Sequence, residues 1–424
     1  MNRVSSLPPE LAPSVYSPSD LAELPPTAKP VRVGGRVVDA SGSTVTIADA
    51  FGALRVDLLT ANPPSIGDLV VVQGTPRPGR LAKATLVERA TPAKPPGAPA
   101  DADSEPSETE TRRLQDRGVG RAIAARAALL RSIRAFFDQR HFLEVDTPSL
   151  VPSPGLDTHL DAFEVPGAGY LITSPEYQMK RLLAGGVPRC FQLARCFRRG
   201  EEGSRHNREF VMVEWYRAFA DMDDVIRDTE ELVRHVAKEI SGGLEIEANG
   251  VTVDLGAPFE RITVARAFER HAGIDEARAL AMATEDEERF FRLLVDRVEP
   301  KIAKSPRPVF VTGYPASQAS LARLSPSDPR VCERFELYVG GVELCNGFGE
   351  LTDPVEQRAR FVRDQTERAR QGKPVYPIDE RFLSALSEGM PRAAGNALGV
   401  DRLLSLCLGE KAIGDIMPFP RAWL

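Results

Sequence analysis

Residues 334–353 read RFELYVGGVELCNGFGELTD, two β-type runs on either side of Gly340-Gly341. A glycine pair between apolar runs marks a two-residue hairpin turn, whose central residues need positive φ. On such a turn Tyr338 faces Glu343, and Glu336 lies diagonal to Glu343 on the same side of the sheet, about 7–8 Å away. Carboxylates that close repel unless a cation sits between them. Mg²⁺ carried in with a nucleotide's phosphates is the economical candidate, because it takes one or two carboxylates plus substrate oxygens. A pair of exposed glutamates on an edge hairpin is the alternative.

Further strand signals lie upstream: RCFQLARCFR (189–198), EFVMVEWYRAF (209–219) and PVFVTGY (308–314). Helical spacing occurs in ARAALLRSIRAFFDQR (125–140), and further helices are expected at 175–185, 222–241, 283–298, 354–371 and 379–388. FLEVDTPSLV (142–151) reads as a strand running into a proline-marked loop. Many strands follow one another with no helix between them. That order predicts an α+β fold, an antiparallel sheet flanked by helices, and argues against a doubly wound parallel sheet. Neither GxGxxG nor GxxxxGK[ST] occurs, so a nucleotide would need a different cradle.

Two further stretches carry chemistry. In FRRGEEGSRHNREFVMVEWYR (197–217), Arg198, Arg205 and His206 precede a strand whose period places Phe210, Met212, Glu214 and Tyr216 on one face. Guanidinium groups suit phosphate and an aromatic suits a base ring, which points to a polyphosphate site beside an amine site. A charged surface hairpin is the plainer reading. In GNALGVDRLLSLCLGE (395–410), two glycines allow close backbone approach, and Arg402 near a helix start can meet an anion. A structural Asp401–Arg402 pair is the default for that element.

The chain has 424 residues, 42% apolar and 27% charged, enough for two or three domains. Lys plus Arg (54) against Asp plus Glu (60) gives −6, which argues against non-specific DNA binding. No apolar run approaches the roughly 20 residues of a membrane span, and the N-terminus lacks a signal-peptide core, so a cytoplasmic protein is expected. Five cysteines without CxxC spacing and five histidines without HExxH suggest neither disulfides nor zinc. Residues 1–30 read as a proline-rich extension with little fixed structure. Residues 31–91 hold five short strand signals, a small barrel of OB or SH3 type. Residues 92–112 (PAKPPGAPADADSEPSETETR) read as a Pro/acidic linker, and 113–424 as the catalytic domain.

Taken in order, FLEVDTPSL, FRR…RHNREF and GNALGVDRLL resemble motifs 1, 2 and 3 of class II aminoacyl-tRNA synthetases. EFVMVEWY and the 334–353 hairpin resemble the lysyl branch. TSPEYQMKRLL (173–183) and YPASQASLARLS (314–325) are more similar to elongation factor P lysine ligases than to lysyl-tRNA synthetases. This resemblance covers about 113–424.

The resemblance implies a homodimeric class II fold that joins ATP to lysine or (R)-β-lysine as an adenylate. The acyl group then passes to a lysine side chain of translation elongation factor P. By motif position, Arg198 would grip the α-phosphate and Arg402 the distal phosphates. His206, Asn207 and Glu201 would join the ATP site, and Phe210 would stack on adenine. Glu336 and Glu343 would hold Mg²⁺, and Glu176, Glu214, Tyr216, Asn346 and Glu350 would line the amino-acid pocket. Ala397 stands where lysyl-tRNA synthetases carry glycine, and its methyl favours a donor with a shifted amine by only about 1–3 kcal/mol. Two departures fall in motif 2: Arg199-Gly200 displace the usual glutamate to Glu201, and Arg208 replaces a proline, which would loosen the loop. The small barrel, whose only aromatic is Phe51, is a poor anticodon reader, so tRNA is not expected as acceptor. The alternatives are a lysyl-tRNA synthetase and a non-catalytic regulatory paralogue.

Overall fold

The computed structural model describes residues 13–23, 29–60, 62–92, 109, 111–116 and 118–420. Most of the expected linker, and parts of the N-terminal extension, lie outside these residues. The chain divides into two units, Met1–Ala124 and Ala125–Leu424.

In the first unit, β1 (Val31–Ser41), β2 (Thr44–Ala48), β3 (Ala53–Leu58), β4 (Leu69–Arg77) and β5 (Arg80–Ala90) close in the order β1-β2-β3-β5-β4. β1 pairs with both β2 and β4, and only the β3–β5 contact is parallel, giving an OB-like barrel. Alternate residues such as Val45, Ile47, Val56, Val72 and Leu81 fill its interior. The N-terminal extension is not wholly without structure. Pro18–Glu23 is a helix, Ser19 donates to Asp49 through backbone N and Oγ, and Leu21 joins the barrel core.

The second unit is built on β6 (Leu143–Glu144), a small sheet of β7 (Leu150–Val151), β8 (Glu164–Val165) and β9 (Gly169–Leu171), then β10 (Arg189–Phe197) and β11 (Glu209–Ala218). A hairpin of β12 (Glu245–Ala248) and β13 (Val251–Asp254) follows. After it come β14 (Glu260–Thr263), β15 (Val309–Thr312), β16 (Arg334–Val339), β17 (Val342–Gly349) and β18 (Ala393–Gly399). The main sheet runs β14-β15-β16-β17-β18-β11-β10-β6, antiparallel except at its two edges, where β14–β15 and β10–β6 are parallel. Residues 142–151, expected as a strand running into a proline-marked loop, form the short strand β6, a loop through Pro148, which cannot donate to a ladder, and then the further short strand β7. The helix expected at 283–298 is instead Glu276–Glu285, Glu287–Leu293 and a π-turn at Leu294–Val298, broken where Asp286 caps the second helix.

β18 was read from sequence only as a glycine-rich approach to a helix. It is a central strand between β17 and β11. One face of the sheet is covered by helices. Trp215 packs 5.4 Å from Phe137, and Asn396 donates to Thr229 Oγ1 on helix Met222–Ile240. That helix starts at a reciprocal Asp221/Asp224 capping box and buries Val225, Ile226, Leu232, Val233 and Val236. The opposite face carries the even-numbered side chains of β11 and forms the site described below. Among the described residues, no helix is long and apolar enough to cross a membrane.

Gly395 is required by this face. A Cβ there would fall 2.2 Å from the Tyr216 ring and 2.9 Å from Glu350 Oε1. Gly395→Ala should therefore push the ring aside and destabilise the second unit by about 1–3 kcal/mol. A lowered urea midpoint checks this; an unchanged midpoint contradicts it.

Candidate active site

Strand register sets the floor. Glu214 (β11), Ala397 (β18), Asn346 (β17) and Glu336 (β16) lie opposite one another in one row across four strands. The next row is Tyr216, Gly395, Phe348 and Arg334. Gly340 and Gly341 take φ of 53° and 78°, and Tyr338 pairs with Glu343 as the turn requires. Beyond that pair the register shifts, so that Glu336 faces Asn346 directly where a regular hairpin would give Cys345. The bulge at Leu344 has a consequence for the site. Glu343 and Asn346 are three residues apart and would point to opposite faces of a regular strand, yet both line one cavity.

The acidic end lies beneath Ala397. Glu214 is wholly buried and accepts hydrogen bonds from Ser174 Oγ (2.7 Å) and Tyr216 Oη (2.9 Å). Burial, then the charge of Glu176, pushes its carboxyl up to about 8. Helix Glu176–Ala184 presents Glu176 and, one turn later, Lys180. The Lys180 ammonium lies 2.5 Å from Glu176 Oε1 and 2.5 Å from Glu350 Oε2. Burial also pushes Glu350 up, to about 7, against the opposing pull of Lys180.

The basic end lies on the other side of Met212. Arg198, just beyond β10, stands 5.0 Å over the Phe210 ring. Its Nη1 reaches Glu201 Oε1 at 3.4 Å, across a turn in which Gly200 takes φ of 89°. Glu201, displaced by one position in sequence, is thus returned to Arg198. Arg208 pairs with Glu202 at 3.0 Å across the same loop, and its carbonyl accepts from Arg198 N. Asn207 donates to Glu209 O. Arg205 ties the loop to the glycine turn by donating to Gly341 O (2.8 Å).

Asp401 and Arg402 do not pair with each other. Asp401 binds Arg126 and accepts from Val211 N. Arg402 donates to Glu343 O (2.7 Å) and meets His206 Nε2 at 2.6 Å. Facing an arginine, Nε2 must be the acceptor, so the His206 proton sits on Nδ1. Burial and then the Arg402 charge push that imidazole's pKa down in agreement.

Glu336 accepts from Tyr314 Oη (2.6 Å), Tyr338 Oη (2.8 Å) and Arg334 Nη2 (2.7 Å). Among the described residues Glu343 pairs only with Arg402, 3.8 Å from its Oε2, and its side chain is 43% exposed to the cavity. Desolvation by the cavity walls, then the Glu336 charge, pushes it up to about 7. An acid held up by a neighbouring acid, with open oxygens facing a cavity, fits a hard divalent cation. Among the described residues no group of three or more His, Cys, Asp or Glu could hold a metal unaided. The donor set therefore suits a cation that brings further oxygens with it.

A cavity of about 640 Å³ is lined by Arg198, Glu201, His206, Asn207, Phe210, Glu336, Glu343 and Arg402. A smaller cavity of about 130 Å³ is lined by Ser174, Glu176 and Phe348. Both share Arg198, Met212, Asn346 and Ala397, so they meet. Glu214, Tyr216 and Glu350, expected to line the amino-acid pocket, are instead buried at the acidic end and line neither cavity, because Ser174 and Lys180 cap their polar atoms. Sequence reading missed Lys180, although its spacing of four from Glu176 was a usable signal. It also missed Ser174, and Tyr314 and Arg334 around Glu336.

The family model for "tRNA synthetases class II (D, K and N)" matches residues 107–422. Among curated proteins, the elongation factor P–(R)-β-lysine ligase of Klebsiella pneumoniae (strain 342) is 43% identical over 323 residues, covering 70% of this chain and 94% of that protein. The protein of the same name from Erwinia tasmaniensis is 44% identical over the same shares. That from Proteus mirabilis is 43% identical over 324 residues, again 70% of this chain and 94% of its own.

Because Glu214 is held near 8 in the fold against 4.5 when exposed, the folded chain keeps a proton that the unfolded chain releases. Stability should thus fall as pH rises from about 4.5 to about 8. Glu214→Gln removes this term, so its stability relative to wild type should improve across that window. Parallel denaturation curves at pH 5 and pH 8 check it; an unchanged difference contradicts it.

Proposed function

The chain belongs to the class II tRNA synthetases (D, K and N) and, among them, to the elongation factor P–(R)-β-lysine ligase family, and from that premise we propose that it is an ATP-dependent ligase acylating elongation factor P. The donor is (R)-β-lysine, or lysine, activated as an aminoacyl adenylate. The observation that carries this reading is the meeting of two cavities at Arg198, Asn346 and Ala397. The larger offers Arg198, Arg402 and the Phe210 ring to a nucleotide and the Glu336–Glu343 pair to its metal. The smaller offers Glu176 to a diamine, with Glu214 bonded to its lining residue Ser174 and Glu350 joined to Glu176 through Lys180.

In the first step a donor carboxylate oxygen attacks the α-phosphorus of ATP. A carbon–oxygen–phosphorus link forms, the bond to the β-phosphate oxygen breaks, and pyrophosphate leaves. Arg198 lies at the junction, where the donor carboxylate and the α-phosphate must meet, and stabilises the charge that builds there. Phe210 stacks on the adenine, while Arg402 and neutral His206 take the distal phosphates. Glu336 and Glu343 would hold Mg²⁺, which neutralises phosphate charge when bound. Glu176, Glu214 and Glu350 take the donor's ammonium groups, with Tyr216 and Asn346 orienting them. In the second step an acceptor lysine nitrogen attacks the carbonyl carbon. An amide forms, AMP leaves, and the nitrogen gives up a proton.

The barrel favours keeping transfer to tRNA(Lys) as a second reading, since lysyl-tRNA synthetases resemble this chain in carrying one. Labelled donor offered with either acceptor separates the two. Label on elongation factor P is expected; label on tRNA alone would overturn the acceptor. Glu343→Gln should lower donor-dependent pyrophosphate exchange by about a hundredfold or more, the scale of losing transition-state electrostatics. Near-normal exchange would show that the carboxylate pair holds no metal.

A further inference from the structure

Resting on the donor pocket just proposed, we infer that Lys180 is a positioning residue for donor recognition, an internal counter-ion that holds Glu350 in place as an anion for a donor ammonium. Lys180 is 1% exposed, and its Nζ contacts Glu176 and Glu350. The rings of Tyr216 and Phe348, with centroids 6.0 and 5.9 Å away, flank the ammonium. The two carboxylates differ. Glu176 has a 16% exposed side chain, whereas that of Glu350 is fully enclosed. Neither Glu350 oxygen has a hydrogen-bond partner among the described residues. Oε2 is held by the Lys180 ion pair alone, and Oε1 lies over Gly395, 2.9 Å from where a Cβ would stand.

A buried carboxylate without a counter-ion takes up a proton and becomes neutral. Lys180 is the cation in contact with Glu350. Arg323 acts on it from farther away and is itself engaged by Glu333 and the carbonyl of Ala393. Glu176, facing Glu350 across Lys180, favours protonation, and the buried Glu214 adds a further acid to the same floor. With all groups ionised, the acids Glu176, Glu214 and Glu350 together with Lys180 carry net −2, which balances the two ammonium groups of a diamine. Lys180 therefore sets the charge the donor meets without touching the reacting atoms.

The test is donor-dependent pyrophosphate exchange by the full chain as wild type, Lys180→Met, Glu350→Gln and the double variant. Exchange by wild type is the control for the functional reading; its absence overturns that reading and this inference with it. In Lys180→Met, the donor KM should rise about tenfold at pH 7, the scale of one lost charge-assisted hydrogen bond. The KM for ATP should stay within about twofold, the ordinary scatter of an uncoupled site. The donor KM relative to wild type should fall back as pH is raised, because Glu350 ionises again.

A merely structural lysine gives a pH-independent rise, or equal effects on both substrates, and either result overturns the inference. In the Glu350→Gln background, removing Lys180 should change the donor KM by no more than about twofold; a further tenfold loss also overturns it. That second comparison decides alone if Lys180→Met does not fold, since in the double variant the carboxylate left without Lys180 is Glu176, which reaches solvent, and not the enclosed Glu350.

Discussion

Acids buried on a sheet face must have counter-charges or carry protons, and this constraint organises the second unit. Glu214 and Glu350 sit where water cannot solvate them, Glu343 faces a cavity beside Glu336 with its side chain 43% exposed, and each is pushed toward neutrality. Nature's usual remedy, an adjoining arginine, is only partly applied. Among the described residues, Arg402 stays 3.8 Å from the Glu343 carboxylate, Glu214 has only hydroxyl donors, and Glu350 shares one lysine with Glu176. The site is thus held short of electrical balance by the scaffold. Cations arriving from outside would complete it, which is the physical basis for the proposal that it receives ammonium groups and a metal–nucleotide.

The backbone devices that build this imbalance are small. A bulge in β17 turns Glu343 and Asn346 to one face, a positive φ at Gly200 returns Glu201 to Arg198, and a missing Cβ at Gly395 admits the Tyr216 ring. Each costs local regularity. The opposite face of the sheet supplies the stability that permits it, through apolar packing around Trp215 and the capped helix Met222–Ile240.

Much of this was legible from residues because strand period and turn chemistry are local. The even-numbered face of β11 and the Gly340-Gly341 pairing of Tyr338 with Glu343 needed no tertiary information. The bulge did need it. Nothing within VELCNGF marks Leu344 as the extra residue, so Glu336 was placed diagonal to Glu343 and its direct partner, Asn346, was not seen. β18 was hidden because AAGNALG has neither β-branched residues nor alternation, and its strand state is imposed by β11 and β17 on its two sides. Asp401 was paired with its neighbour by default, whereas its partner Arg126 lies 275 residues away. Lys180 is, by local pattern, one charge among others on a helix. Its role depends on Glu350, which no local pattern brings near.

If a diamine donor completes a pocket of partly protonated acids, its arrival must expel protons. Calorimetric titration of (R)-β-lysine into the chain with a non-hydrolysable ATP analogue, at pH 7 in buffers of different ionisation enthalpy, counts them. Release of about one proton per donor bound is expected from acids that titrate near neutrality. Binding with no proton exchange, or with proton uptake, would contradict the account.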